Sequence, residues 1–461
     1  MRMGIGLGVG INRSNYAQGI FASYQSRVVA DGGTTEAGGC VDAGATALLQ
    51  TASLLLIPSG YKANKLYSEI PTNGNGDLTW TRASTAIRTN SSGLLESMAT
   101  GVPRLDYTYG SCPSVLLEPQ RTNSIRNSSM VGAVAGTPGT LPTNWVNGQL
   151  AGLSRQIVGV GTENGLPYID FRFFGTTNTA DGIRIDLEGG TIIAAATGQT
   201  WAYSLYSKLI SGTPPTTSFT FFERNSVGGG ITSGNVAFAP TSTLTRFSAT
   251  RTLSGGATVA FVQPSLNIAT LISTAYDFTI RIAAPQMELG AYPTTYIPTT
   301  SATVTRIADS FSRNNIYTNG LITSSGGTWV VELRNNEQLI ADSATIGFWL
   351  GTSSVTPVNN GTLYFRQGGG SQRSNIWKYE SGTATQLYTP TTDTTKIAIK
   401  WNGTTADIFA NGTKVVSATS FTATNMEFLA TTGVGRPFFI SQMDLFPTPL
   451  TDAECQALTT L

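Results

Sequence analysis

The stretch Lys396-Ile-Ala-Ile-Lys-Trp-Asn-Gly-Thr-Thr-Ala-Asp-Ile-Phe-Ala-Asn-Gly-Thr-Lys-Val415 alternates apolar and polar residues and is broken by Asn402-Gly403 and Asn411-Gly412. Alternation with period two turns one face of a strand toward a core and the other toward solvent. Asn-Gly between two such runs predicts a tight hairpin, because both central residues of a type I′ turn need positive φ. Strands are expected over Lys396–Trp401, Ala406–Ala410 and Lys414–Ala418, and a last one over Phe438–Phe446 runs into a short helix opened by Thr451-Asp452. Trp401, Phe409, Phe439 and Phe446 are expected to point inward.

The same pattern recurs upstream. Thr328–Leu333, Ile346–Leu350, Gly361–Arg366 and Ile376–Tyr379 read as strands of one sandwich, and Tyr168–Phe174, Trp201–Ser207, Ser218–Phe222 and Tyr276–Ile282 as strands of another. Gly, Pro and Asn clusters separate them, the mark of a β-sandwich or jelly roll. Charged residues make up only 12% of the 461, against about 25% in ordinary globular chains. The 40% hydrophobic content is nevertheless enough for several cores. The fold class expected is all-β: an N-terminal anchor with a short helix over 1–60, an extended connector over 61–128, then two tandem β-sandwiches over 129–304 and 305–461. Thr299–Thr303 reads as the linker between them.

At the N-terminus Gly4, Gly6, Gly8 and Gly10 alternate with Ile5, Leu7, Val9 and Ile11. An extended strand of this kind has one apolar face and one bare backbone face that another backbone can approach. It reads as a docking or oligomerising strand. Alternating glycine spoils the helix of a signal peptide, so a protein that does not enter the secretory pathway by itself is expected. Residues 12–45 are small and polar. Between Ala43 and Leu56 the apolar residues Ala45, Leu48, Leu49, Ala52, Leu55 and Leu56 fall at helical spacing, stopped by Pro58. This short apolar helix cannot bury its face alone.

Several chemistries are excluded by residue type. The chain has no histidine, which removes His-based acid–base catalysis, Ser-His-Asp triads and His-ligated metals. Cys40, Cys112 and Cys455 are too far apart for a Cys-x-x-Cys site and read as buried thiols or one disulfide. A net charge of +1 and no basic stripe argue against nucleic acid. No run approaches the length of a membrane-spanning helix, so no membrane insertion is expected.

Three groups of segments carry a family resemblance: Asp77–Arg88 with Gly93-Leu-Leu-Glu96; Val102-Pro-Arg-Leu-Asp-Tyr107 with Leu116-Leu-Glu-Pro-Gln-Arg-Thr-Asn123; and Gln286-Met-Glu-Leu-Gly290, Tyr296-Ile-Pro-Thr299 and Thr303-Val-Thr-Arg306. They resemble the connector and jelly-roll module of fibre proteins from Bacteroidetes-infecting phages, including crAss-like phages. The C-terminal hairpins resemble a laminin-G/concanavalin A-like sandwich. The resemblance implies a virion fibre, head or tail, made in the bacterial host cytoplasm and carried on the particle surface. It implies attachment to capsid or tail proteins through the N-terminal region, a homo-oligomer (trimer, with dimer the alternative), and binding to host-surface or mucosal glycans.

Candidate residues follow from that chemistry. Sugars present flat C–H faces and rings of hydroxyls, which suit aromatic platforms flanked by amides and guanidiniums. Trp377, Tyr379 and Tyr388 with Arg366, Arg373 and Asn375 form the expected glycan site, with Gln372 and the Gly368–Asn375 loop as its lip; Trp145 and Tyr292 are further aromatic candidates. Catalysis is not expected: no Glu-x-Asp-x-x-Glu string occurs, and Asp186 with Glu188 is the one weak carboxylate pair. The alternative is a glycan-depolymerising fibre. No cofactor is expected. Calcium lacks a supporting pattern, with Asp342, Asp393 and Asn402 isolated loop candidates.

Overall fold

The computed structural model describes residues 15–36, 46–323, 325–334, 340–341, 345–355, 359–367, 370–371, 373–431 and 433–461. The chain is all-β in two compact units. One comprises the residues up to Ser92 with Met98–Pro119 and Ala308–Leu461, the other Gly93–Ser97 and Gln120–Ile307. The first unit is therefore interrupted by the second.

Two antiparallel sheets build the interrupted unit. The eight-stranded sheet centres on Phe438–Phe446, whose nine residues are all buried. One edge of that strand pairs with Gly327–Arg334, followed by Thr395–Trp401, Thr405–Ala410 and Thr413–Ser420. Its other edge is shared, Leu54–Leu56 pairing with Met443–Leu445 and Val115–Leu117 with Phe438–Ile440. The opposing ten-stranded sheet likewise mixes early and late strands, since Thr79–Thr81 pairs with Ser310–Ser312. Between the sheets Trp329 stands edge-on to Phe348 and Phe365, at 5.8 and 5.3 Å between ring centroids. Trp80, Leu105, Val115 and Leu117 belong to the same core.

Residues 61–119, expected as an extended connector, thus supply strands to the sandwich expected over 305–461. Their turn-rich composition marks short strands, and their apolar residues enter a core distant in sequence. The helix expected over 43–56 is confined to Thr46–Leu49, and Leu54–Leu56 is a strand with all three leucines buried. Burying a leucine contributes about 1.5–3 kcal/mol, whereas helix propensities differ by only about 0.7 kcal/mol per residue. Tertiary burial decides the segment. A helix not anticipated, Asn15–Ala30, buries Tyr24 and Val28 against Tyr67. Of the cysteines, Cys112 is disulfide-bonded and Cys455 is a buried free thiol, whose pKa burial pushes up to about 12. Cys40 and Gly4–Ile11 lie outside the described residues.

The C-terminal elements follow the sequence closely. Asn411 and Gly412 have φ of 46° and 78°, as the hairpin requires. At Asn402-Gly403 only Gly403 has positive φ, and Asn402 Oδ1 instead accepts from Thr405 N and Oγ1 in a wider loop. Helix Asp452–Thr459 opens on a capping box between Thr451 and Glu454. It covers the outer face of the eight-stranded sheet. Consequently Trp401 points into the inter-sheet core, while Phe409 and Phe446 are buried on the opposite side with Cys455 and Leu458. Phe439 packs edge-on against Tyr109.

The inserted unit is a sandwich of two five-stranded antiparallel sheets. One runs in the order Val146–Gln149, Ile183–Asp186, Phe261–Ile268, Thr217–Arg224, Gly230–Phe238; the other Ser154–Glu163, Leu166–Thr176, Ala275–Leu289, Thr200–Ser211, Thr245–Thr252. The chain enters and leaves it on a two-stranded ladder, Arg121–Asn123 with Val304–Arg306. Thr299 is not linker: its hydroxyl donates to the Ile125 carbonyl at 2.6 Å, and the residue is buried.

The crossing points are fixed by charge. In the interrupted unit Arg82, Arg104, Glu118 and Asp309 form a buried cluster. Arg82 Nη1 donates to Asp309 Oδ1 at 2.9 Å, Arg104 Nη1 to Glu118 Oε2 at 2.6 Å, and Arg104 Nη2 to Asp309 Oδ2. Burial works against the Arg104 charge, but Asp309 and Glu118 outweigh it and raise its pKa.

Three outcomes follow. Residues 305–461 alone should show no cooperative melt, since Phe438–Phe446 loses one whole edge, whereas residues 93–307 should melt cooperatively by circular dichroism. Asp309→Ala should destabilise the interrupted unit by about 3–5 kcal/mol in chemical denaturation, because it removes the carboxylate that Arg82 and Arg104 share in the core. Asp444 gives a pH signature. Burial raises its pKa despite hydrogen bonds from Gln442 and the Leu56 backbone, and Glu69 and Glu332 add to the rise. The folded chain then keeps a proton that the unfolded chain loses from about pH 4 upward. Stability falls with rising pH by about 1.4 kcal/mol per unit until the folded group ionises. Asp444→Asn should match the parent near pH 4 and gain on it as pH rises, read from melting temperatures across pH 4–8.

Candidate functional site

The outer face of the ten-stranded sheet carries the predicted residues. Phe348 and Leu350, Leu363 and Phe365, and Ile376 are core residues, so Trp349, Tyr364 and Trp377 between them face away from the core. Register aligns them in one row, Ala430–Trp349–Tyr364–Trp377–Gln386, across five strands. Tyr364 and Trp377 stack at 6.3 Å with 23° between ring planes. The Arg366 guanidinium lies 4.7 Å from the Trp377 ring centre. Tyr379 packs at the same cluster, two residue pairs along and so on the same face. Asn375, opposite Arg366, donates to Gln386 Oε1 at 3.4 Å.

Four of the six nominated residues, Arg366, Asn375, Trp377 and Tyr379, therefore share one face. Arg373 lies just outside the strand and binds Asp393 through Nη2 at 2.6 Å. Tyr388 pairs with Ile376 and packs on the core side. A bulge between Ile376 and Trp377 passes over Leu387, so Gln386 stands opposite Trp377 while Tyr388 stands opposite Ile376 on the core side. Gln372 and much of the 368–375 loop lie outside the described residues.

Sequence reading missed Trp349 and Tyr364, although the signal was present. Once their neighbours are assigned to the core, alternation alone turns both outward. Both are buried, while Trp377 and Tyr379 are half-buried. Burial raises the Tyr364 pKa, with Arg366 pulling it back and Tyr379 adding to it, so the phenol stays protonated. The half-buried groups of this face are Trp377, Tyr379 and Arg366, two rings and a guanidinium that can stack and hydrogen-bond, whereas Trp349, Tyr364 and Asn375 are buried. Among the described residues no carboxylate pairs with Arg366.

The remaining candidates have structural partners. Trp145 is a core residue whose indole donates to the Asn127 carbonyl at 2.9 Å. Tyr292 is buried beside Arg121, accepting from its Nη2 at 3.0 Å. Asp186 and Glu188 are held separately, Asp186 by Ser265 and Arg184, Glu188 by Arg126. Asp393 and Asn402 serve Arg373 and a turn, and Asp342 lies outside the described residues. Among the described residues no group of three or more His, Cys, Asp or Glu side chains is placed to hold a metal. No described helix is long and apolar enough to cross a membrane.

No protein-family model matches the chain, and no curated protein matches it. Solved structures similar to it include a CBM4 structure (17% identity, TM-score 0.25, covering 36% of this chain and 99% of that one). Another is the CBM22-1 xylan-binding domain of Xyn10C from Paenibacillus barcinonensis (13%, 0.23, 36% and 92%). A third is the tripod (BppUct-A-L) from the baseplate of bacteriophage Tuc2009 (14%, 0.24, 61% and 96%). At these scores the fold assignment rests on the strand pairing above, and the functional reading rests on this chain's own residues.

Proposed function

We propose that this chain is a structural fibre protein of a phage virion, a capsid-attached head fibre, which binds host-surface or mucosal glycans through the outer face of its interrupted sandwich. The observation that carries the binding reading is the convergence of Arg366, Asn375, Trp377 and Tyr379 on the face shared by Trp349 and Tyr364. The rings of Trp377 and Tyr379 take the C–H side of a pyranose, and the Arg366 guanidinium takes its hydroxyls. The virion reading is supported by the sequence resemblance over 75–310. Gly4–Ile11 is the proposed attachment segment, and a trimer the proposed assembly, in which weak sugar contacts gain by avidity. The chain acts by binding, without turnover.

The test uses the full-length chain on immobilised surface polysaccharide of a Bacteroidetes host. Trp377→Ala should weaken binding about tenfold, the loss of one stacked platform, while Tyr388→Phe, on the core side, leaves it unchanged. Equal binding by Trp377→Ala and parent overturns the site. Release of reducing ends by the parent overturns the non-enzymatic reading and favours a depolymerising fibre.

A further inference from the structure

The inserted unit has its own polar face. On its sheet of Val146–Gln149, Ile183–Asp186, Phe261–Ile268, Thr217–Arg224 and Gly230–Phe238, the core takes Ile183, Ile185, Phe219, Phe221, Val262 and Leu266. Arg184, Asp186, Phe222, Arg224, Gln263 and Ser265 alternate with these and stand on the opposite face. An outward polar row on a sandwich is ordinarily solvated. Here Ser265 is 0% exposed, Gln263 3% and Asp186 4%.

Two arginines are folded down on this face. Arg184 crosses the intervening strand to reach Phe222, its guanidinium 5.1 Å from the ring centre, and Arg224 sits 5.4 Å from the same ring. Two glycines make room for them: a Cβ on Gly148 would overlap Arg184, and one on Gly190 would overlap Arg224. Neither glycine has positive φ, so space is what each provides. Arg224 donates through Nε and Nη2 to Gln263 Oε1 and through Nη1 to the Gly228 carbonyl. Arg184 Nε lies 3.1 Å from Asp186 Oδ1 as an ion pair without a hydrogen bond, and among the described residues none of its three nitrogens donates one. The Asn267 Oδ1 atom, directly across the ladder from Arg184, is buried and accepts no hydrogen bond.

Charge on the face is unbalanced, with two guanidiniums against the one carboxylate of Asp186. That carboxylate is committed to Ser265 at 2.5 Å and to Arg184, and burial raises its pKa. The geometry points to a second glycan site, specific for a carboxylate-bearing sugar, with the free edge of Arg184 gripping the sugar carboxylate and Asn267 accepting from a sugar hydroxyl. Phe222 is a positioning residue that holds both guanidinium planes. One open guanidinium edge over a floor of hydroxyls and amides suits a monoanionic acid sugar better than a phosphate dianion. This site is independent of the aromatic face on the other unit.

The experiment is calorimetric titration of the full-length chain with tetragalacturonate and with sialyllactose, each against its carboxyl-reduced form. At least one acid sugar should bind tenfold or more tightly than its reduced form. Arg184→Gln should abolish that preference, Arg184→Lys should retain part of it, and Trp377→Ala should leave it intact. Circular dichroism of each variant confirms the fold, and Gly148→Ala, which displaces the arginine without removing it, should weaken acid-sugar binding alone. Equal binding of acid and reduced sugars, no binding of either acid, or full competition by inorganic phosphate would overturn the proposal.

Discussion

The buried cluster of Arg82, Arg104, Glu118 and Asp309 is the constraint on which the architecture depends. Glu118 lies just before the chain leaves the interrupted unit, and Asp309 just after it returns. The backbone repeats the link, with Glu118 N donating to Asp309 Oδ2 and Asp309 N to the Glu118 carbonyl. Closing a loop of nearly the whole inserted unit is entropically tolerable because the cost grows only with the logarithm of loop length. Desolvating four buried charges opposes folding more strongly. That penalty is offset because the carbonyls of Ser84, Ala99 and Ile87 take guanidinium N–H groups that the carboxylates leave over. Wrong pairing of early and late strands would strand those charges in the core, so the cluster specifies the interruption as well as holding it.

This explains why the segments that carry the family resemblance are not the binding residues. Arg82, Arg104 and Glu118 come from three of them. Asn123, from the same segment as Glu118, performs the matching task in the inserted unit with Gln286, Glu288 and Arg306. Asn123 Nδ2 donates to the Pro285 and Ile297 carbonyls, and Gln286 Nε2 donates to Glu288 and to the Thr294 carbonyl. Polar residues at recognisable spacing were legible as a signature. Their role was illegible, because Arg82, Arg104, Glu118 and Asn123 find partners far away in sequence.

The strands themselves were legible wherever alternation is backed by a turn. Phe438–Phe446 and the hairpin at Asn411-Gly412 stand where periodicity places them. Leu54–Leu56 was misread because an all-apolar triplet has no period, and only its pairing with Met443–Leu445 makes it a strand. The connector was misread for a related reason: strands of two to four residues are too short to show alternation. The aromatic face was half legible. Trp377, Tyr379 and Arg366 were found by residue type, but Trp349 and Tyr364 required knowing which neighbours enter the core. Tyr388 was misplaced by the bulge at Ile376, a one-residue slip that sends a side chain to the other face.

Low charge implies a surface of hydroxyls and amides, and that accounts for only part of the chemistry. Many of the charges this chain does have are inside, where they end loops. Glu223 binds Arg251 and accepts the Ser254 and Gly255 backbone N–H groups; Glu288 accepts from Thr294; Glu188 takes the Arg126 N–H and guanidinium. In a β-sandwich every loop must satisfy backbone donors that the ladder leaves over. A buried carboxylate satisfies two or three at once, and an arginine above it neutralises the charge. With its acids committed in this way, the chain presents faces whose uncommitted groups are aromatic rings and guanidiniums. That surplus, visible at Arg366 and again at Arg184, is what a ligand rich in oxygen can complete.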